Sequence, residues 1–514
     1  MNERVHGIFL LAAVFVIAVC GLVYELMAAT LSSYLLGGSV TQFSIVIGVF
    51  LSAMGFGSYL TRFLSGRLPE AFIAIQIGIG LSGGLSAAIL LFTFAVLATY
   101  LPILVTILTV TGILVGMEIP LLIRILRSRS ALRLTVSNVL TLDYLGALLA
   151  SCAFPLFFVP YVGLLRTSFL FGLVNVAVAG VGIRVLSPML RNSKQLAALA
   201  GVAAGILGIG LAGSGVFSSM MEDLIYQDDI ILARQTPYQR IIVTKWHDDI
   251  RLYLDGNLQF SSVDEYRYHE SMAHPAVAAA PHAVRALILG GGDGMLAREL
   301  LKYSHIQKID LVDLDGEMIR LFRENELLSP LCKGALSNPK VTVHVEDAGK
   351  FLEKSSEAWD LIFVDLPDPN NLSLGRLYTT SMFRLISKCL AVRGVSVTQA
   401  TSPFYAPEAF WCIAATWGQV LTAPGSKRCF NVYPYHVYVP SFGDWGFVMA
   451  SRRMIDTSSL HLASVPLKFL SDEVLPSLFT FPKDSSAHTK ILANRLDDQV
   501  LVKYYRKGWR RYGP

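Results

Sequence analysis

The sequence predicts two fold classes in one chain: an N-terminal all-α polytopic membrane domain and a C-terminal α/β domain preceded by a small β region. Three observations carry this reading. Residues from about 7 to 217 are dominated by apolar runs, each near the roughly 20 residues that cross a bilayer. Beyond Ser218 the hydropathy falls, charges return and strand patterns alternate with helical ones, which implies a doubly wound domain with a mainly parallel sheet. At Leu287-Ile288-Leu289-Gly290-Gly291-Gly292-Asp293-Gly294 an apolar strand empties into four glycines and one acid, in the manner of nucleotide-binding βα turns. At 514 residues the chain is too long for one ordinary domain.

The apolar half, 1–217, reads as seven spans at about 8–30, 39–62, 71–96, 99–123, 139–160, 164–186 and 196–217. Asp143 interrupts the fifth. The first is not a cleaved signal peptide: it is too long, lacks a small-residue cleavage pattern and carries Glu25 towards its end. Positive charge is concentrated in alternate loops. Arg62 and Arg67 follow span two, Arg124, Arg127, Arg129 and Arg133 follow span four, and Arg184, Arg191 and Lys194 follow span six. The loops after spans one and three carry neither Lys nor Arg. The positive-inside rule then puts the N-terminus inside, and seven crossings put the following half outside. Glu25, Glu118 and Asp143 lie within apolar spans, where a carboxyl group is costly unless it is paired or faces a polar cavity.

After a short step at Ser218-Ser219-Met220-Met221-Glu222-Asp223, the second half divides into a small β region at 225–285, an α/β core at 286–455 and an extension at 456–514. Strands are expected at Ile241–Val243, Leu252–Leu254, Ala286–Leu289, Ile309–Val312, Val341–Val345, Leu361–Val364 and Val395–Thr398. Helical patterns near 265–279, 295–303, 316–328, 347–354 and 378–391 fall between or beside them. The formal charge of +5 follows largely from arginines at the membrane flanks and does not argue for nucleic acid. The six cysteines have no paired metal spacing.

The chemistry is concentrated in acids at strand ends. Asp293 stands inside the glycine loop, where a carboxylate repels a phosphate but suits a cationic ligand. Asp313 closes the next strand about 20 residues downstream, where such folds hydrogen-bond a ribose. Asp365 closes a third, the usual position for chemistry in open α/β sheets.

Six ordered motifs surround these acids. They are Tyr238-Gln239-Arg240-Ile241, Leu254-Asp255-Gly256-Asn257-Leu258-Gln259, Asp264-Glu265-Tyr266-Arg267-Tyr268-His269-Glu270, Val312-Asp313-Leu314-Asp315, Glu346-Asp347-Ala348 and Val364-Asp365-Leu366-Pro367-Asp368-Pro369. In order and spacing, residues from roughly 225 to 450 closely resemble the spermidine synthase family of polyamine aminopropyltransferases, and with the apolar half in front the chain looks like its membrane-attached branch. The resemblance implies a Rossmann-like, class I methyltransferase-like domain behind a small β domain. It implies decarboxylated S-adenosylmethionine as aminopropyl donor, an amine acceptor with putrescine as the default, and spermidine and methylthioadenosine as products. It calls for neither cofactor nor metal, and for a homo-oligomer. Both substrates are cationic, so a carboxylate-lined site attracts them.

By that resemblance Asp293 would hold the donor's aminopropyl ammonium and Asp313, in place of the family's usual glutamate, the ribose hydroxyls. Asp347 would meet the adenine amino group with Ala348 beside it, and Gln239 and Gln259 would frame the nucleoside. His269 lies where the family places a glutamine or histidine near the donor. Asp365 would be the general base, and Tyr268 and Asp368 would orient the acceptor. Two departures fall on the acceptor side. The family's Gln-Gly-Glu-like run is here Gln399-Ala400-Thr401-Ser402, without a carboxylate, and a tyrosine of the acceptor pocket corresponds to Phe442.

Competing readings remain open at this level. One is a methyltransferase using intact S-adenosylmethionine; another is a polyamine transporter or sensor, with Glu25, Glu118 and Asp143 lining a cavity and a soluble half that only binds. The expected location is the cell (inner) membrane. A donor made from S-adenosylmethionine favours the cytosolic side for the catalytic half, against the charge rule, and a miscounted span at Asp143 would reconcile the two. The end of the chain, Tyr504-Tyr505-Arg506-Lys507-Gly508-Trp509-Arg510-Arg511, suits a lipid headgroup surface or a solvated terminal helix equally.

Overall fold

The apolar runs form long helices because nothing within them stops propagation. In the computed structural model these are α1 (Glu3–Leu36), α2 (Ser39–Leu60), α3 (Leu68–Val96), α4 (Tyr100–Arg127), α5 (Leu132–Ala153), α6 (Leu164–Val185) and α7 (Ser193–Ile225). The structure describes residues 3–36, 39–64, 66–97, 99–127, 132–226, 228–423, 425–487 and 491–512. Arg129 therefore lies outside the described residues, and for Arg127 and Arg133 only the backbone is described. The chain separates into two units, Met1–Ile230 and Ile231–Pro514.

Among the described residues of the first unit, seven helices are long and apolar enough to cross a membrane. No miscount arises at Asp143: α5 runs through it and continues as a π-helical segment, Phe154–Val162, where Pro155 and Pro160 withhold backbone donors. Glycines bring α2 and α4 into backbone contact, since a Cβ at Gly57 would collide with the Ile113 carbonyl and one at Gly116 with that of Met54. Glu118 is buried and accepts a hydrogen bond from the Gln76 amide. It thus has an internal partner, as helix packing requires. Arg124 of α4 donates to the carbonyls of Thr61 (2.7 Å) and Leu64 (2.8 Å), in the turn just past the end of α2. The step at 218–223 is not a joint between the halves. It lies inside α7, because composition changes there but no Gly or Pro interrupts the hydrogen-bond ladder.

The second unit begins with an antiparallel sheet in the order β1 (Asp229–Gln235), β2 (Arg240–Trp246), β3 (Asp249–Leu254), β4 (Asn257–Ser261). The β3–β4 turn is Asp255-Gly256, both at positive φ (48° and 79°), the pair that a tight hairpin favours. Then follow α8 (Glu265–Ala279), β5 (Arg285–Gly290), α9 (Met295–Leu300), β6 (Lys308–Asp313), α10 (Gly316–Glu324), β7 (Val341–Val345), α11 (Ala348–Lys354), β8 (Trp359–Asp365), α12 (Leu372–Gly375), α13 (Thr380–Cys389) and β9 (Leu390–Gln399). The chain ends with α14 (Pro407–Trp417), β10 (Asn431–Val439), β11 (Gly443–Ser451) and α15 (Val500–Trp509).

The main sheet has the order β10-β11-β9-β8-β5-β6-β7. Its five strands from β9 to β7 are parallel, and β11 and β10 add an antiparallel edge. The chain leaves β5 towards β6 and β7, then crosses back to β8 on the other side. The crevice between the ends of β5 and β8 is therefore the topological switch point, where such sheets bind ligands. β10 carries Pro434, which argues against a strand in sequence and is tolerated here because β10 is the edge.

The extension beyond 455 is part of this unit rather than a surface appendage. Val500, Leu501 and Val502 are buried, and α15 packs on α14. The buried Glu270 of α8 accepts the backbone N–H groups of Lys468 (2.7 Å), Phe469 (2.9 Å) and Leu470 (3.0 Å). Glu270→Ala removes the acceptor for three donors, so we expect a loss of about 3 kcal/mol in stability. Faster proteolytic cleavage near 468 checks it.

Candidate active site

Four acids converge where β5, β6 and β8 end. Gly290 closes β5 at φ 86°, and a side chain there would collide with the Asp365 carbonyl, so the glycine lets the turn pass against β8. Gly292 does the same towards β6: a Cβ would lie 2.7 Å from Asp313 Oδ2, and its N–H instead donates to that oxygen at 3.0 Å. Asp313 Oδ1 accepts from Asp315 N at 2.9 Å. Asp293 Oδ1 accepts from Met295 N at 2.8 Å, which fixes the acid at the start of α9. Asp365, the last residue of β8, accepts the Tyr268 hydroxyl at 2.6 Å.

Helix α8 delivers the opposing charge. Glu265, Tyr268 and His269 share one face of it at helical spacing. His269 Nδ1 lies 2.7 Å from Glu265 Oε2, and Arg298 holds that carboxylate bidentately with both contacts at 2.9 Å. Burial opposes charge on both members of the pair. Even so, their mutual contact raises His269 to about 8, and His269 and Arg298 hold Glu265 down at about 2. The acids behave oppositely. Burial raises Asp293 and Asp365 and His269 opposes it in both, while the Asp365 charge adds to the effect on Asp293 and the Asp313 charge to that on Asp365. Burial likewise lifts Asp313 to about 6. Burial and the Asp365 charge push the Tyr268 phenol well above its usual range, so it stays a donor.

Asp368 lies past β8 and is bound by neutral groups. Gln399 Nε2 donates to it at 3.2 Å and Thr401 Oγ1 at 3.1 Å, and the Tyr505 hydroxyl also reaches it. Burial lifts Asp368 to about 6 against these contacts. Gln399 is oriented by Tyr378 Oη at 2.6 Å and the Leu366 carbonyl at 2.7 Å.

The remaining predicted residues stand further out. Gln239 donates to Asp315 Oδ2 at 2.9 Å and so joins the Asp313 turn indirectly. Asp347 caps α11 through Lys350 N (3.0 Å) and pairs with Arg376 (3.0 Å). The adjoining Glu346 N donates to the Asp313 carbonyl at 3.1 Å, which sets the Asp347-Ala348 turn beside Asp313. Gln259 donates to the Asn257 carbonyl at 3.1 Å, within its own strand, and is not brought into the acid cluster. Phe442 packs edge-on against Tyr268 at 6.3 Å. Sequence reasoning assigned no role to Glu265, Arg298, Asp315, Gln399, Tyr378 or Tyr505. Glu265 could have been found from its i,i+4 spacing to His269, and Gln399 from its place at the end of β9.

Fold and site together define a Rossmann-like domain with carboxylates gathered at the ends of its parallel strands. A family model for the spermine/spermidine synthase domain matches residues 265–458. The polyamine aminopropyltransferase of Leptospira interrogans is 46% identical over 501 residues, covering 97% of this chain and 98% of that protein. Polyamine aminopropyltransferase 2 of Ralstonia nicotianae is 44% identical over 507 residues, with 97% and 98% covered. Among solved structures, spermidine synthase from Thermotoga maritima is similar over 49% of this chain and 85% of that one, at 24% identity and a TM-score of 0.43. The chain belongs to the spermine/spermidine synthase family and is an aminopropyltransferase. The near-complete alignment with its relatives includes the helical unit.

The His269–Glu265 pair makes stability depend on pH. Because His269 is raised from 6.5 to about 8, its contribution is full below pH 6.5 and is lost as pH rises through about 8. We expect the thermal midpoint to fall across that window, and Glu265→Gln to be less stable with a flat profile there. Scanning calorimetry from pH 6 to 9 checks it.

Proposed function

We propose that the acid-lined end of the sheet binds decarboxylated S-adenosylmethionine and transfers its aminopropyl group to an amine, with putrescine as the default acceptor. The observation that carries this is Asp365 at the end of β8, beside Asp293 and hydrogen-bonded by Tyr268. Asp293 holds the donor's primary ammonium, Asp313 the ribose, and the Asp347-Ala348 turn the adenine, with Gln239, Gln259 and His269 framing the nucleoside. Asp368 and Tyr268 orient the acceptor. Asp365 takes a proton from the acceptor ammonium, and the freed nitrogen lone pair attacks the carbon next to sulfur. The carbon–sulfur bond breaks, its electron pair stays on sulfur, and neutral methylthioadenosine leaves. Alignment of nitrogen, carbon and sulfur supplies much of the remaining acceleration. A methyltransferase reading fits less well, because Asp293 favours an ammonium and gives no extra help to the carboxylate of intact S-adenosylmethionine.

Mass-spectrometric turnover by the detergent-purified chain with this donor and a panel of amines tests the reading. Methylthioadenosine plus an aminopropylated amine is expected, and Asp365→Asn lowers kcat by about 100-fold or more. Absence of product with every amine, despite donor binding, overturns it. The pH dependence separates the two substrates. As pH falls through about 6, Asp368 protonates and the acceptor's KM rises, while Asp313 protonates and the donor's KM rises. Asp368→Asn removes only the first effect.

We also propose that the seven helices span the cell membrane and that the catalytic unit faces the cytosol, where its donor is made. Seven crossings then leave the N-terminus outside, against the loop charges. Cys429 is exposed in the catalytic unit, and Cys152 is exposed in α5. With Cys152 replaced by serine, a membrane-impermeant maleimide is expected to label Cys429 in permeabilised cells and not in intact ones. Labelling in intact cells reverses the assignment.

A further inference from the structure

The acceptor side lacks a family carboxylate at Thr401 and a family phenol at Phe442, yet Asp368 does not stand alone. The C-terminal helix α15 supplies what is missing. Tyr505 brings a phenol to Asp368, and Trp509 Nε1 lies 3.4 Å from Thr401 Oγ1, behind the hydroxyl that binds Asp368. Thr401 adopts φ 55°, a strained conformation for a β-branched residue. Its neighbours hold it there: Gly446 N donates to its carbonyl at 2.7 Å, and its own N–H donates to Gln399 Oε1 at 3.1 Å.

α15 is fixed against this turn along its length. Arg506 Nε donates to the Asn370 carbonyl at 3.1 Å, just beyond Asp368, and Lys507 pairs with Glu408 at 2.9 Å. A Cβ at Gly508 would lie 2.6 Å from Ala406 Cα, so the helix backbone touches the loop after β9. The Trp509 ring sits 5.0 Å from that of Tyr405. Every group described on Asp368 is neutral: the tyrosine and threonine hydroxyls donate to it, and the Thr401 hydroxyl in turn accepts the Trp509 indole N–H. Asp365 and Asp368 can meet two amine nitrogens, and a third ammonium further along would face hydrogen-bond donors and rings.

We propose that α15 is the end wall of the acceptor pocket and that Tyr505, acting through Asp368, restricts the acceptor to a short diamine. This rests on the amine-acceptor reading of the Asp365–Asp368 site. Tyr505 is a positioning residue: its hydroxyl holds the carboxylate that receives the distal ammonium, and its ring closes the space beyond.

The test is steady-state kinetics of the full-length, detergent-purified chain with putrescine and with spermidine as alternative acceptors. Tyr505→Phe keeps the ring and loses the hydroxyl; we expect its KM for putrescine to rise about tenfold, with the donor's KM and kcat nearly unchanged. Tyr505→Ala opens the wall, and the spermidine-to-putrescine ratio of kcat/KM is expected to rise at least about tenfold. That ratio does not depend on the fraction of folded enzyme. An unchanged ratio in Tyr505→Ala and in Trp509→Ala overturns the proposal, and if the alanine variants do not fold, an unchanged putrescine KM in Tyr505→Phe overturns it instead. In either case wild-type turnover would leave the aminopropyl-transfer reading standing, whereas wild-type inactivity with every amine would remove that reading itself.

Discussion

The second unit depends on holding four carboxylates together without enough protein cations to balance them. Asp293, Asp313, Asp365 and Asp368 gather at one end of the sheet, and burial raises all of them. Such a cluster of like charges is costly by itself. The cost is limited by donors that carry no net charge: Gly292 N and Asp315 N on Asp313, Met295 N on Asp293, and the Tyr268 hydroxyl on Asp365. Backbone donors can do this only where the chain passes within contact of the acids, which is why glycine is needed at 290 and 292. What remains uncompensated is negative charge, and in the proposed reaction a cationic substrate supplies the missing half.

His269 is the exception, a cation set among the acids. Its position is not left to its own rotamer. Glu265 fixes the ring, Arg298 fixes Glu265, and Glu299 joins Arg298 to His274 and Lys302. All but Lys302 in this chain of contacts lie nearly out of solvent, and each described member has a partner, the condition under which a buried polar network rigidifies rather than weakens a fold. The network runs from the site into the packing of α8 on α9. A charge change at Glu265 therefore reaches both the stability of that packing and the balance between Asp293 and Asp365.

Much of this was legible in the sequence because it is local. A strand followed by an acid, four glycines ahead of a helix, and apolar runs of membrane length each announce themselves within about 20 residues. The illegible parts depend on distant partners. Asp368 was named, but Gln399, Thr401 and Tyr505 reach it from β9 and α15. Thr401 was read as the loss of an acid, whereas its hydroxyl binds Asp368. The 218–223 step resembled a joint because composition changes there, yet a helix stops for want of hydrogen bonds or at a Gly or Pro, and neither occurs between Ser218 and Ile225. The tail's aromatic and basic residues matched a lipid surface or a solvated helix equally. An amphipathic stripe does not say what it packs on, and here Val500, Leu501, Tyr505 and Trp509 turn towards α14 and the loop after β9.

The acceptor side shows why a residue-by-residue comparison miscounts a site. Losing a glutamate and a tyrosine from a motif suggests a weakened pocket, but recognition is done by atoms in space, and α15 returns a phenol to the same carboxylate from far down the chain. The exchange is not neutral. A hydroxyl from Thr401 and another from Tyr505 can orient Asp368, yet neither replaces a negative charge, and in a site shielded from water a charge acts over distances that a hydroxyl does not. One carboxylate fewer means one ammonium fewer can be held with full strength. In the proposed acceptor site α15 therefore restores the orientation of Asp368 but not the charge that Thr401 leaves out.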